Sequence, residues 1–179
     1  MLTSLSDIRF MEQIHGNHVE VIEKNSPLNP QADSLITFTK GIGLAVLSAD
    51  CLPILVNGAG VVAAIHAGRK GLTNGVITAT ILKMRELGAT NLQAVIGPSI
   101  CAACYEVDVE MYNQIVLDFP AGATSKDKHA LDLANMATFE FEAAGVSVAN
   151  FGICTRENRD FYSYRRDKAT GRQVGVIAL

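Results

Sequence analysis

The sequence predicts a mixed α/β protein, on three observations. Short apolar segments bounded by glycine and proline alternate with longer segments of helical period. Four of the strand-like segments crowd before residue 70, so pairing is antiparallel or mixed rather than a regular βαβ repeat. The 179 residues, 49% hydrophobic and 18% charged, suit one globular domain over residues 1–179. Such a chain buries roughly 70% of the surface its unfolded form exposes.

The elements follow in order. Val19–Ile22 reads as a short strand. Leu44–Ala49 and Ile54–Val56 are apolar, short and bounded by glycines and Pro53, so they read as buried strands. Val61–His66 is another, after the turn Asn57-Gly-Ala-Gly60. A helix is predicted from about Thr73 to Leu87, with Ile77, Ile81, Met84 and Leu87 on one face and Gly88 ending it. Leu92–Ile96 reads as a strand, and Glu106–Leu117 as a helix with acidic residues at its positive end. Asp132 is the candidate N-cap of a helix over Leu133–Ala144. Its predicted buried face is Leu133, Met136, Phe139 and Ala143, and Gly145 ends it. Val148–Cys154 and Val174–Ala178 complete the strands.

Composition excludes some functions. The formal charge is −3 and the pI about 5.8, which argues against nucleic-acid binding by phosphate neutralisation. No apolar run reaches the ~20 residues that span a bilayer. The first residues lack the basic and apolar regions of a signal peptide. The expected location is the cytoplasm, where Cys51, Cys101, Cys104 and Cys154 stay reduced and are available for metal binding or catalysis.

Three residues stand out for chemistry. Cys51 directly follows a predicted strand, His66 ends another before a glycine-containing loop, and His15 lies in Gln13-Ile-His-Gly16. Rigid strand ends beside glycine turns are suited to presenting a reactive side chain. Two imidazoles and one thiolate suit zinc and leave a fourth position open. The same trio could instead be a Cys nucleophile with a His base. The plainer alternative is a buried free cysteine and two ordinary histidines.

Cys101-Ala-Ala-Cys104 could be redox-active or half a metal site. No further ligands stand nearby in the sequence, so packing is the preferred reading. Basic residues gather at Arg69-Lys70 and at Arg165, Arg166, Lys168 and Arg172, beside glycines, where phosphate could be held. A solvated surface is the alternative. Neither a Walker A nor a GxGxxG fingerprint occurs.

The motifs taken together resemble one family. They are Gln13-Ile-His-Gly16, Ala32-Asp-Ser-Leu-Ile-Thr37, Ala45-Val-Leu-Ser-Ala-Asp-Cys-Leu-Pro-Ile54 and Val62-Ala-Ala-Ile-His-Ala-Gly68. Ile96-Gly-Pro-Ser-Ile100, Cys104-Tyr-Glu-Val107, Phe161-Tyr-Ser-Tyr-Arg-Arg-Asp167 and Thr170-Gly-Arg172 follow in order. The chain resembles the YfiH/YlmD family, long labelled multicopper polyphenol oxidoreductase (laccase) and associated with purine nucleoside phosphorylase activity. The resemblance runs from about residue 11 onward. It implies a four-layer α/β/β/α sandwich with mixed sheets, and a zinc held by His15, Cys51 and His66, which would then be catalytic.

It further implies phosphorolysis of adenosine, inosine, guanosine and methylthioadenosine, and adenosine deamination. Partners would be a purine nucleoside and phosphate, with no nucleic acid or membrane. Arg69, Lys70, Arg165 and Arg166 are the candidate phosphate-binding residues, and Asp50 and Glu106 the candidate acid/base groups. The older label would make copper the metal, but a multicopper site needs many histidines and the chain has four.

Two departures from the family stand out. About a dozen residues precede the first motif, where the family has a longer segment with an Arg-Gly-Gly type turn, which predicts a truncated or specialised member. The family's His-Ala-Gly-Trp-Arg-Gly reads His66-Ala-Gly-Arg-Lys-Gly71, so an aromatic wall gives way to a charge. A metal-free Cys/His hydrolase, by analogy with architecturally similar toxin deamidases, and a non-catalytic family member are the competing readings.

Overall fold

A computed structural model describes residues 7–124 and 128–179. Among these, the strands in chain order are β1 (Asp7–Arg9), β2 (Val19–Val21), β3 (Ser34–Thr37), β4 (Ile42–Ser48), β5 (Leu52–Gly58), β6 (Val61–Ala67), β7 (Gln93–Ile96), β8 (Ser147–Asn150) and β9 (Gln173–Ala178). The helices are α1 (Arg69–Thr73), α2 (Val76–Glu86), α3 (Val109–Asp118), α4 (Leu133–Ala143) and α5 (Tyr164–Asp167).

Two sheets result, one of order β1-β4-β9 and one of order β2-β3-β6-β5-β7-β8. Both are mixed. The pairs β1–β4, β2–β3 and β7–β8 are parallel, and the other pairs are antiparallel. The class is therefore the expected mixed α/β, with mixed sheets.

The period-2 alternation of β4 and β6 stacks the sheets. Ile42, Leu44 and Val46 of β4 meet Val62 and Ala64 of β6, with Ile22 and Leu35 closing the cluster. The opposite side chains of β6, Ala63 and Ile65, pack with Ile54 and Val56 of β5 against Leu72, Ile77, Ile81, Met84 and Phe141. Each such buried Val, Leu, Ile, Met or Phe side chain contributes about 1.5–3 kcal/mol by leaving water. The layers are thus helices, large sheet, small sheet. Among the described residues no helix covers the outer face of the small sheet, where Val174 and Val176 are exposed.

Several elements differ from expectation. The first helix starts earlier, at Arg69, and breaks at Asn74-Gly75, where Gly75 has φ +79°. Helix α3 begins at Val109, because the Asp108 carboxylate accepts from the Met111 N–H and caps it. Asp132 caps α4 as expected, by accepting from the Asn135 N–H. Its buried face, however, is Leu133, Met136, Ala137 and Phe141, while Phe139 is 62% exposed. The i, i+4, i+8 row Leu133–Ala137–Phe141 sets the helix rotation and turns Phe139 outward. The strand expected at Val148–Cys154 ends at Asn150, and only an isolated bridge pairs Ser99 with Cys154.

Candidate active site

The chain crosses between sheets at Ala49–Cys51, and there Asp50 has φ +98°. Such a conformation is uncommon outside glycine. It is held by the side chain: Asp50 accepts from the Thr155 hydroxyl (2.7 Å) and the Arg165 N–H (2.6 Å). The Ser48 hydroxyl donates to the Cys51 carbonyl and tightens the same turn. Cys51 thus emerges at the start of β5, opposite the end of β6 that carries His66.

His15 comes from the loop before β2 and is itself left-handed, with φ +59°. Asp33 fixes it. That carboxylate is fully buried, accepts from the N–H groups of His15 (3.0 Å) and Gly16 (2.6 Å), and bonds His66 Nδ1 (2.8 Å). The two imidazoles stand edge to face, 4.7 Å between centroids. One ligating atom each of His15, Cys51 and His66 lies within 4.8 Å of the others, so residues far apart in sequence converge. That bound is compatible with the 3–4 Å donor separation expected around a zinc. Gly68 makes the approach possible. A Cβ there would lie 2.9 Å from Cys51 Sγ and 3.3 Å from His15 Cδ2.

The electrostatics are mutual. Burial opposes ionisation of Cys51, but the two histidines outweigh it and lower the thiol to about 7. Burial likewise opposes protonation of His66, yet Asp33 and Cys51 raise it to about 9. Burial works against the Asp33 carboxylate too, and its bonds to His66, Gly16 and His15 still hold it below the ordinary range.

The trio opens on a cavity of about 810 Å³, a size suited to a small-molecule ligand. Arg69, Lys70, Arg165, Lys168 and Arg172 line it, with Asp50 as the acidic lining residue. Tyr105 and Tyr164 supply aromatic faces. Arg165 lies over the Tyr105 ring at 5.0 Å and Lys168 over Tyr164 at 5.5 Å.

Arg166 is not in the lining. Its guanidinium binds the Asp167 carboxylate and the carbonyls of Thr155, Arg156 and Phe161, so it braces a loop instead of facing the cavity. Glu106 is exposed, does not line the cavity, and gives only its carbonyl to Arg165. Asp50 lines the cavity with both oxygens engaged. The remaining histidines lie elsewhere, His18 beside Glu20 and His129 against Tyr112.

Asp33, Tyr105 and Tyr164 escaped sequence reasoning as site residues. Each sits inside a motif that carries the family resemblance, which was the available signal.

Cys101 and Cys104 lie on the loop behind Tyr105 and pack with Ile100 and Cys154. Burial, then the neighbouring thiols of Cys101 and Cys154, push Cys104 up to about 12.

Known proteins carry the same fold and sequence pattern. A Streptomyces coelicolor protein named purine nucleoside phosphorylase is 41% identical over 180 residues, spanning 95% of this chain and 74% of that protein. A Neisseria meningitidis crystal structure superposes with a TM-score of 0.86 at 32% identity, over 97% of this chain and 75% of the other. The Bacillus licheniformis hypothetical protein YfiH gives a TM-score of 0.86 at 28% identity, over 99% and 76% of the two chains. With the multi-copper polyphenol oxidoreductase laccase model matching residues 1–179 as well, the chain belongs to that family.

Proposed function

We propose that the chain is a purine nucleoside phosphorylase. The observation that carries this reading is one cavity holding five cationic side chains beside the His15–Cys51–His66 trio. Phosphorolysis joins a phosphate oxygen to the ribose C1′ as the C1′–N bond to the purine breaks, giving ribose 1-phosphate and free base. Arg69, Lys70 and Arg165 would bind and orient the phosphate, with Lys168 and Arg172 closing its charge. Tyr105 and Tyr164 offer stacking faces for the purine, a role the family's Trp would share at the position of Arg69.

The donor set of the trio fits zinc. Asp33 occupies His66 Nδ1 and leaves Nε2 free, an orientation typical of metal-ligating histidines. A bound zinc would supply Lewis acidity toward a substrate oxygen or nitrogen. The set is too small for several coppers, so it offers no support for laccase chemistry. Adenosine deamination needs a carboxylate to shuttle protons. Asp50, in the cavity, is occupied by Thr155 and Arg165, which favours phosphorolysis as the main reaction.

A metal-free hydrolase is the second reading, and the lowered Cys51 thiol beside a protonated His66 favours it. Nucleosides incubated with and without phosphate, and resolved by chromatography, decide the matter. Free purine that appears only with phosphate supports the phosphorylase. Inosine formed from adenosine without phosphate adds a deaminase activity; free purine that appears equally without phosphate, or no turnover of any nucleoside by folded, zinc-loaded protein, overturns it.

A further inference from the structure

We propose that Cys101, Cys104, Cys154 and Glu157 form a second, structural zinc site, separate from the active-site trio. The sequence shows only half of it, because the CxxC has no further ligand nearby. The fold supplies the rest. The loop after β8 brings Cys154 and Glu157 against Cys101 and Cys104, and one donor atom of each of the four lies within 4.8 Å of the others. The two halves match. Cys101-x-x-Cys104 faces Cys154-x-x-Glu157, each pair spaced i, i+3 on a turn, the arrangement of two facing metal knuckles.

The local bonding fits thiolate ligands. The Cys101 N–H donates to Cys154 Sγ at 3.4 Å, and the Cys104 thiol lies 3.6 Å from Glu157 Oε1. Cys104 and Cys154 are buried, whereas Glu157 is exposed and forms the outer corner. Three thiolates and one carboxylate give zinc a full tetrahedral shell, so the site has no open position and serves structure rather than chemistry. A disulfide would use two of the three thiols and leave the third and Glu157 without purpose.

The consequence for the fold is specific. Between these two loops the backbone makes few bonds, Ser99 N–H to the Ile153 carbonyl and Thr155 N–H to the Ser99 carbonyl among them. The same loops carry Ile100 and Tyr105 of the cavity wall, and Thr155, which holds Asp50. The ion would clamp the wall of the active site from behind.

The test is metal content of the purified, folded chain, measured by mass spectrometry of the metal. Two equivalents of zinc are expected in the wild type if both sites fill. Cys51→Ala should retain one equivalent, Cys104→Ser should lose one, and Glu157→Gln should hold its second zinc more weakly against a chelator. Cobalt exchanged into Cys51→Ala should show the near-ultraviolet band of thiolate-to-cobalt charge transfer. That variant keeps the test intact even where Cys104→Ser does not fold. A single wild-type equivalent that survives Cys51→Ala still supports the second site while removing the metal from the first. Cys51→Ala free of zinc and unable to bind cobalt overturns the inference. So does a disulfide between any two of Cys101, Cys104 and Cys154 in the isolated protein.

Discussion

At Gly68 a single hydrogen atom stands where a methyl group would meet Cys51 Sγ at 2.9 Å. Both neighbours are fixed, Cys51 by its strand and His15 by Asp33, so neither can yield cheaply. Gly68→Ala is expected to cost about 1–3 kcal/mol as overpacking. It should also lower zinc affinity by at least about tenfold, the scale of other disturbances around metal ligands. Thermal unfolding and zinc competition check both. The ionisation of the trio makes a second expectation. Cys51 is lowered from 9.0 to about 7, so its stabilising contribution is present above pH 9 and is lost as pH falls through 7. His66 is raised from 6.5 to about 9, so its contribution is full below pH 6.5 and is lost as pH rises through 9. Thiolate and imidazolium therefore coexist between about pH 7 and 9. In metal-free protein, iodoacetamide should alkylate Cys51 with a midpoint near 7. Asp33→Asn, which removes a carboxylate from His66, should move it upward. A wild-type midpoint near 9 would show that the histidines do not activate the thiol.

Among the elements, the turn from β4 to β5 has the most to lose. Asp50→Ala removes the acceptor of a buried hydroxyl and of the Arg165 N–H, a cost of about 1–3 kcal/mol for each group left unsatisfied. The expected result is a lower melting temperature and a higher KM for phosphate, since Arg165 loses its anchor. Asp50→Asn, which keeps one oxygen acceptor, should fall between the two. Legibility varied with the same physics. Strands β4, β5 and β6 are nearly uninterrupted apolar runs and announced themselves. Strand β3 did not, because Ser34 and Thr37 look like loop residues. They are buried only because Thr80 and the Ile22 carbonyl bond them. Helix α1 was missed since its short span opens on a glycine without a side-chain cap. His15, Cys51 and His66 were legible from strand ends and motifs. The bracing role of Arg166 was not, because it depends on carbonyls of a loop whose path no periodicity records.

For the molecule as a whole, charge is unevenly placed. The formal charge is −3, yet five of its cations face one cavity, so the remaining surface is acidic. An anionic substrate is repelled by most of the protein and drawn to one mouth. The KM for phosphate should therefore rise several-fold between low and physiological salt, as the Debye length falls from about 30 Å at 0.01 M to about 8 Å at 0.15 M. Lys70, exposed at the rim, should matter moderately, with Lys70→Ala lowering kcat/KM for phosphate about tenfold, or ~1.4 kcal/mol. Steady-state kinetics across a salt series checks both, and a salt-independent KM would place phosphate elsewhere.

The small sheet has the order β1-β4-β9, so its central strand is completed by a partner from far along the chain. During synthesis β9 is made roughly 130 residues after β4, a delay on the order of ten seconds at about 5–20 residues per second. Throughout that interval the apolar run Ile42–Ser48 has one unpaired edge, and Lys168 and Arg172 do not yet exist to meet the cavity. The nascent chain thus exposes an unpaired apolar strand edge until β9 arrives. Ribosome-bound chains stalled before Gln173 should be protease-sensitive in β4, and the whole sequence tethered to the ribosome through an added C-terminal linker long enough to clear the exit tunnel should be protected.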